Sequence, residues 1–251
     1  MVPARKSLLV ALSGLALPLV LSLPARAAFV VENEANGAST NNTLATAQAI
    51  SADAFTLPTP ANVFNPPGYA TATITGRGGS GDVDFYSFVA TTAGQLLIDI
   101  DNNPFTFDTN LALFNSVGTL LAFGEDSNPA DPGSQVGLDA FIGTYTLTSP
   151  GTYYIAVSSG GNNPTALANA QFTTLFRPDG SPGGSSLTSV PVGVSTYVNN
   201  NPQPSNSAAY TMQISFQGAQ AVVPEPSSIV MVAVGAIGLA GFGIRQHRKG
   251  D

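Results

Sequence analysis

Apolar and polar residues alternate in short segments through the middle of the chain. Phe85 and Ser87 lie on one side of such a segment, and Tyr86 and Phe88 lie on the other. A period of two is typical of a strand that packs one face on a core. The same pattern, bounded by Gly, Pro, Asn and Asp, predicts eight strands near 70–75, 84–90, 95–100, 110–114, 120–123, 139–146, 152–158 and 209–216. The only helical candidate, 43–49, is short enough to be a turn. The sequence therefore predicts an all-β domain, a single antiparallel β-sandwich.

Two regions interrupt this pattern. Residues 53–69 are rich in Pro and Asn, and residues 162–207 are rich in Gly, Pro, Ser, Thr and Asn. Both exceed ordinary connection lengths, and segments of this size are either functional or disordered. Three bulky apolar residues predict that part of the second region packs back on the domain as an extra hairpin: Phe172, Leu175 and Phe176.

The N-terminal segment has the three parts of a secretory signal. Two basic residues precede the apolar run 7–23, and Ala25 and Ala27 supply the small residues of a cleavage site. This pattern predicts a signal peptide over 1–27, with a short apolar helix and cleavage after Ala27. An uncleaved anchor is the alternative, which the cleavage site and two prolines disfavour.

A second apolar run lies near the other end, at 229–244, and a basic segment follows it at 245–251. A helix of that length rises about 24 Å, slightly less than the thickness of about 30 Å of the membrane's hydrocarbon core. It therefore spans the membrane only with flanking residues included in the core. The basic cluster places the C-terminus in the cytoplasm. A buried core helix is the alternative, but an apolar run followed at once by basic residues is more typical of a transmembrane helix.

The linker before this helix, 219–228, contains the tripeptide Pro224-Glu225-Pro226. This segment resembles the PEP-CTERM sorting signal of Gram-negative bacteria, because the tripeptide is followed by a short apolar helix and then by a terminal basic cluster. The resemblance implies that a membrane-embedded exosortase reads the tripeptide and cleaves nearby. It also implies export across the inner membrane, a membrane-anchored precursor, and delivery to the cell surface or extracellular matrix. Members of that family typically occur in species that make exopolysaccharide and biofilm.

The charges are unevenly distributed. The chain has 8 basic and 15 acidic residues, a formal net charge of −7. Residues 28–223 contain two basic residues, Arg77 and Arg177, and thirteen acidic residues, which gives this part of the chain a net charge of −11. Such a body repels phosphate backbones, which excludes nucleic-acid binding and makes cations the natural partners. Because the chain has no Cys, packing or bound metal must stabilise the exported domain.

The same body lacks His, Cys and Lys. Their absence excludes a Ser-His-Asp triad, a cysteine nucleophile, a Schiff-base lysine and a histidine-ligated zinc site. Only carboxylate pairs remain for catalysis: Asp82 with Asp84, or Asp99 with Asp101, in a glycosidase arrangement. The chain has no Trp to form a sugar platform. We therefore predict that the protein is not an enzyme.

Four strand segments carry a second resemblance. GDVDFYSF at 81–88, AGQL at 93–96, DTNLALF at 108–114 and GTYYIAV at 151–157 resemble the bacterial pre-peptidase C-terminal domain. That family is a compact jelly-roll-like β-sandwich found on secreted peptidases and on non-enzymatic surface proteins. The resemblance implies one such domain over 28–218. The departures are the two long regions described above and Glu125-Asp126-Ser127, where many members have a double Asp.

The acidic opening of this domain predicts a calcium site. Glu32, Glu34 and Asn36 place three oxygen donors along one edge of an extended segment, and Ca²⁺ takes six to eight oxygen ligands. In calcium-binding members of the resembling family, ligands come from this stretch and from the acids before the first long strand. That resemblance implies Glu32, Glu34, Asn36, Asp82 and Asp84 as calcium ligands. The alternative is that they are ordinary solvated loop acids.

These observations predict a secreted, exosortase-sorted surface or matrix protein. Its non-catalytic, calcium-stabilised β-sandwich is predicted to act structurally or adhesively in the exopolysaccharide layer. Two alternatives stay open. One is a carbohydrate-binding module, with Tyr69, Tyr145 and Tyr197 as sugar-stacking platforms, although core tyrosines are commoner. The other is an auxiliary domain for a secreted hydrolase, which is disfavoured because no peptidase domain shares this chain.

Overall fold

The computed structural model describes residues 29–33, 40–57, 68–79, 81–101, 108–126, 133–134, 138–189, 196–199 and 208–218. Within these ranges the chain forms β-strands and three short 3₁₀ turns, with no α-helix. The strands are β1 (Phe29–Val31), β2 (Gln48–Ala49), β3 (Ala70–Gly78), β4 (Val83–Ala90), β5 (Gly94–Asp101), β6 (Thr109–Phe114), β7 (Leu120–Gly124), β8 (Phe141–Leu147), β9 (Gly151–Ser159), β10 (Asn162–Pro164), β11 (Gln171–Phe176), β12 (Pro182–Ser189), β13 (Tyr197–Asn199) and β14 (Ala208–Phe216). All eight predicted strands are confirmed, as β3 to β9 and β14. The helical candidate at 43–49 is a single 3₁₀ turn, Leu44–Thr46, followed by β2.

Two sheets form the domain. Sheet A has the strand order β1-β3-β14-β5-β8, and sheet B has the order β11-β12-β7-β6-β9-β4-β2. Ile74 and Met212 of sheet A pack with Leu111 and Ile155 of sheet B in one core, and all four are fully buried. The alternating pattern supplies this core, since the inward-facing residues of both sheets are the apolar ones. The all-β prediction is confirmed.

The expectation of purely antiparallel sheets is wrong at two edges. β1 pairs in parallel with β3, and β2 pairs in parallel with β4. Both short strands belong to one segment, 29–50, which follows sheet A in one direction and sheet B in the other. We call this segment the strap. β1 therefore ends, and β2 begins, at the end of the sandwich where β3 ends and β4 begins.

The described residues of the long region 162–207 form regular secondary structure. It supplies β10 to β13, and β11 and β12 form the predicted extra hairpin. Leu175 packs against the main core, whereas Phe172 and Phe176 are exposed. The ring of Tyr197 meets that of Phe85 edge-on at 5.8 Å, as part of a second apolar cluster on the outer face of sheet B. The region therefore covers part of the outer face of sheet B.

Acidic residues concentrate at one end of the sandwich, which we call the acidic end. β3, β5 and β7 end there, and β4, β6 and β8 begin there. Nine of the eleven acidic residues that the structure describes lie at or beside these strand ends: Glu32, Asp82, Asp84, Asp99, Asp101, Asp108, Glu125, Asp126 and Asp139. β14 leaves the opposite end, so the chain continues toward its C-terminal segment from the end away from the acids.

Several predictions lie outside the described residues. The signal helix over 1–27, the linker 219–228, the apolar helix 229–244 and the basic tail 245–251 all do so. In the ranges that are described, no helix combines the length and hydropathy needed to cross a membrane. The predicted segment boundaries therefore remain predictions.

Candidate cation site

Glu32 lies at the acidic end, where the strap leaves β1. Its backbone N–H donates to the Thr75 carbonyl at 2.9 Å, which continues the pairing of β1 with β3. Its carboxylate accepts hydrogen bonds at Oε2 from the Arg77 N–H at 2.8 Å, and at Oε1 from Asn41 Nδ2 and Tyr86 Oη, both at 3.2 Å. The side chain therefore joins the strap to both sheets.

Asp84 faces the interior of the sandwich beside a pair of tyrosines. Its Oδ2 accepts a hydrogen bond from Tyr210 Oη at 2.7 Å, and Tyr210 Oη lies 2.7 Å from Tyr86 Oη. Tyr86 lies two residues after Asp84 on β4, and Tyr210 comes from β14 of the other sheet. A continuous row of polar atoms thus runs from Glu32 through both hydroxyls to Asp84, which is 1% exposed.

Asp82 precedes β4 and lies nearer the surface. Its Oδ1 accepts from the N–H of Val83 at 3.0 Å and from Asn42 Nδ2 at 3.2 Å. Its backbone carbonyl accepts from Asn162 Nδ2 at 3.1 Å. β10, through Asn162, and the strap, through Asn42, therefore hold Asp82 from two sides.

Two of the three carboxyl groups, those of Asp82 and Asp84, have raised pKa values. Burial, followed by the charges of Glu32 and Asp82, raises the pKa of Asp84 to about 10. Burial and the charge of Glu32 also raise the pKa of Asp82 above its ordinary value, against hydrogen bonds from Val83 and Asn42 that lower it. Without a cation, Asp84 therefore keeps its proton at neutral pH, and a bound cation would favour its ionised form.

Buried oxygen atoms at this site have no hydrogen-bond donor. They are Oδ1 of Asn41, Oδ1 of Asn42 and Oδ1 of Asp84. The amide nitrogens of both asparagines are already directed at Glu32 and Asp82, so their oxygens are free to accept. Amide and carboxylate oxygens are the ligand types that Ca²⁺ prefers. Among the described residues, however, no group of three or more Asp, Glu, His or Cys side chains is arranged to hold a metal ion.

Three of the five predicted ligands lie in the described part of the chain and come together: Glu32, Asp82 and Asp84. Glu34 and Asn36 lie outside the described residues. Sequence reasoning missed Asn41 and Asn42, although an Asn pair beside the acidic opening was a usable signal. It also missed Tyr86 and Tyr210, which meet at the site because the two sheets pack face to face.

The other candidate groups are buried. Asp99 and Asp101 have no exposed surface, so neither is open to a substrate as a glycosidase pair requires. Tyr69 is buried, and its hydroxyl donates to the side chain of Gln95. Tyr145 and Tyr197 are partly buried against the two apolar clusters. None of these three rings is an open platform for sugar stacking.

A second group of acids at the acidic end gives a pH-dependent prediction. Burial, followed by the charges of Asp126 and Glu125, raises the pKa of Asp108 to about 6. Because this folded-state pKa lies above the unfolded one, the proton bound by Asp108 stabilises the fold below about pH 4 and this stabilisation is lost as pH rises through about 6. We expect Asp108→Asn to raise the free energy of unfolding at pH 7.5, by less than about 1 kcal/mol since the group is half-exposed.

Urea unfolding at pH 4 and pH 7.5 measures this effect. The gain from Asp108→Asn should shrink toward pH 4, where the native carboxyl is already protonated. Asp53→Asn, which removes the same charge from an exposed position at the other end, is the control. Equal gains from Asp108→Asn at both pH values would contradict the assignment.

Solved structures resemble the chain at low sequence identity. The pre-peptidase C-terminal domain of collagenase from Bacillus anthracis is 16% identical, with 57% of this chain and 88% of that chain covered and a TM-score of 0.32. Two solved structures of PliG, a periplasmic inhibitor of g-type lysozyme, also resemble this chain. The Escherichia coli mutant is 16% identical over 62% of this chain and 95% of that one, with a TM-score of 0.29. The Salmonella Typhimurium protein is 15% identical over 68% and 99%, with a TM-score of 0.29. No curated protein matches the chain.

Two family models match the sequence directly. The bacterial pre-peptidase C-terminal domain matches residues 82–159, from Asp82 to the end of β9. The PEP-CTERM protein-sorting motif matches residues 222–249. Neither match is to a catalytic family, and the sorting motif indicates export to the cell surface or extracellular space with exosortase processing. The chain therefore carries a match to the bacterial pre-peptidase C-terminal domain over 82–159 and a PEP-CTERM sorting motif over 222–249.

Proposed function

We propose that this protein is a non-catalytic, calcium-stabilised component of the extracellular matrix, released by an exosortase from a membrane-anchored precursor of a Gram-negative bacterium. The observation that carries the proposal is the candidate cation site at the acidic end. The buried carboxyl group of Asp84 and the half-buried ones of Glu32 and Asp82 lie there beside buried amide oxygens that have no donor. A cation supplies the missing positive charge and accepts these oxygens as ligands.

The residues that would hold calcium come from two parts of the chain. Asp82 and Asp84 belong to the start of β4, whereas Glu32, Asn41 and Asn42 belong to the strap. Glu34 and Asn36, also in the strap sequence, complete the proposed ligand set. A cation bound between these groups would tie the strap to the sandwich and keep β1 and β2 on their sheet edges. The stability of the fold would then depend on calcium through linkage.

A structural or adhesive role agrees with the side chains available. Residues 28–223 contain no His, Cys or Lys, and two candidate carboxylates, Asp99 and Asp101, are inaccessible. What the molecule offers instead is a rigid sandwich with a polyanionic end. Calcium bridges between such an end and acidic exopolysaccharide provide a mode of matrix attachment that needs no aromatic platform.

Matrix retention tests this function. We expect the exported protein to stay in the exopolysaccharide fraction in millimolar calcium and to be released by chelator. Replacing the exposed acidic-end residues Glu125 and Asp126 by Gln and Asn should weaken retention in calcium, whereas Asp53→Asn should behave like the natural protein. Retention of the natural protein that is unchanged by chelator would contradict a calcium-dependent role.

The sorting motif gives a separate prediction. Replacement of Glu225 by Ala should leave the C-terminal segment attached, because the tripeptide is the element that an exosortase would read. Intact-mass measurement of the protein from an exosortase-containing host should then show the full C-terminus. The natural sequence should lose the residues after the cleavage point. An intact C-terminus in the natural protein would contradict the proposed processing.

A further inference from the structure

The end of the sandwich from which β14 leaves is almost free of charge, and we call it the exit end. Three turns lie there, at 91–93, 115–119 and 148–150. Neither these turns nor the segment 54–69, which leads into β3, contains a charged residue. Of the described acidic residues, only Asp53 lies near this end. Val117, in the second turn, is 68% exposed, and Val89, near the end of β4, is 64% exposed. Charge and apolar exposure are therefore separated along the strand axis.

The residues that follow β14 are fixed to the exit end. The Gln217 N–H donates to the Gln95 carbonyl at 2.9 Å, and Thr92 Oγ1 donates to the Gly218 carbonyl at 3.3 Å. Both partners belong to the turn between β4 and β5 or to the start of β5. The chain therefore leaves the described domain at a defined point of this end, Gly218.

The chain between the domain and the membrane is short. Ile229, the first residue of the apolar run, is eleven residues beyond Gly218. A chain of that length reaches about 37 Å when fully extended and spans about 18 Å when flexible. β14 has nine residues, so the sandwich is about 30 Å tall along this strand. With the acidic end against the membrane, the chain would use most of its full length to return along the sandwich. Such stretching is entropically unfavourable, so the length of this segment favours the exit end toward the membrane.

Charge favours the same orientation. Anionic lipid headgroups give a membrane a negative surface potential, which salt screens within about 10 Å. An inverted domain would place the acidic end, with its nine acidic residues, inside this layer. The exit end has uncharged turns and can approach the headgroups without this repulsion. The length of the connecting chain and the distribution of charge are independent, and both orient the domain in the same direction.

We propose that the exit end faces the anionic membrane surface in the anchored precursor, with the acidic end directed outward. This inference rests on the proposed membrane-anchored precursor and names the surface of the domain that meets the bilayer. Pro224 lies six residues beyond Gly218, a reach of about 20 Å, so an exosortase would act on the tripeptide directly beneath the exit end. The candidate cation site is held about 30 Å farther from the membrane, on the side that matrix polymers approach.

Site-specific fluorescence quenching tests this orientation in the full chain. Glu225→Ala should keep the precursor anchored, and because the chain has no Cys, one introduced cysteine carries one label. The precursor is reconstituted, in chelator, in vesicles of phosphatidylethanolamine and phosphatidylglycerol whose headgroups carry a nitroxide quencher. A label on Val117→Cys should be quenched at least about threefold more strongly than one on Asp126→Cys at the acidic end. A label on Thr173→Cys, at mid-height on β11, should give an intermediate value.

Two double variants separate the exit end from the rest of the surface. Thr91→Glu with Thr148→Glu adds two negative charges to turns of the exit end and should weaken the quenching at Val117, because the charged turns are repelled by the headgroups. Thr173→Glu with Thr174→Glu adds the same charge at mid-height and should change this quenching little. All four threonines are exposed, so neither pair of substitutions disturbs the core.

Equal quenching at Val117 and Asp126, or stronger quenching at Asp126, would overturn the proposal. An equal loss of quenching at Val117 in the two double variants would also overturn it. A precursor that does not enter the vesicles would overturn the anchored precursor and this orientation together, whereas one that enters and is quenched equally at both ends would overturn the orientation alone. Because calcium is absent, these results do not depend on the cation site.

Discussion

Asp84→Asn should abolish the stabilisation of this protein by calcium. At calcium concentrations about 100-fold above the dissociation constant, linkage stabilises the natural fold by about 3 kcal/mol. For a domain of this size, that raises the midpoint of thermal unfolding by about 5–10 °C. The substitution removes a carboxylate that is buried between the two sheets and whose Oδ1 has no donor. In chelator it should not lower the midpoint, because a neutral amide replaces a carboxyl that lies against two others.

The discriminating result is this pair of effects in one variant. Thermal unfolding in calcium and in chelator measures both, and Asp53→Asn controls for the loss of one negative charge. A purely structural role for Asp84 would lower the midpoint equally in both conditions. That result, or a full calcium response in Asp84→Asn, would contradict the proposed ligand set.

Gly76→Ala should destabilise the fold and weaken the calcium response together. A Cβ on Gly76 would lie 2.5 Å from Cζ and Oη of Tyr210 and 2.9 Å from Oη of Tyr86. Both rings are fully buried, so they must tilt and lose the hydrogen bond to Asp84. Overpacking and the lost hydrogen bond together cost about 2–4 kcal/mol, more than the 0.5–1 kcal/mol or so that Ala gains over Gly in a strand.

Denaturant unfolding measures the loss, and the calcium-induced shift of the midpoint measures the damage to the site. Thr75→Ala, on the same strand but the opposite face, is the matched control and should change both quantities little. If Gly76→Ala has the same free energy of unfolding as the natural protein, the rings of Tyr86 and Tyr210 do not pack against Gly76 as the structure shows.

The alternating pattern was sufficient to predict eight of the sandwich strands, β3 to β9 and β14. It could not predict β1 and β2, because strands of three and two residues contain too few positions to show a period. Nor does a period of two reveal the direction of a neighbouring strand, which is why the parallel edges were missed. Asp99 and Asp101 show a related limit. Alternation assigns them to the outer face of sheet A, but it does not reveal that this face is covered.

The candidate site was predictable only in part. Acids before a long strand and in the opening segment indicated Glu32, Asp82 and Asp84, because their types and positions are visible in the sequence. Tyr210 lies 126 residues beyond Asp84, and its hydrogen bond exists only because β14 faces β4 across the core. The roles of Asn41 and Asn42 also depend on geometry, since the direction of an amide decides whether its oxygen can accept a ligand.

Tyrosine-sensitised terbium luminescence tests the central claim most directly. Terbium is a calcium substitute that emits when a nearby aromatic ring transfers excitation to it, and the chain has no Trp. The hydroxyls of Tyr86 and Tyr210 border the site, so excitation of tyrosine should produce emission that saturates at one ion per chain. Calcium should displace it, and Asp84→Asn should abolish it. Absence of saturable emission from the natural protein, or emission that Asp84→Asn leaves unchanged, would contradict a cation site at Glu32, Asp82 and Asp84.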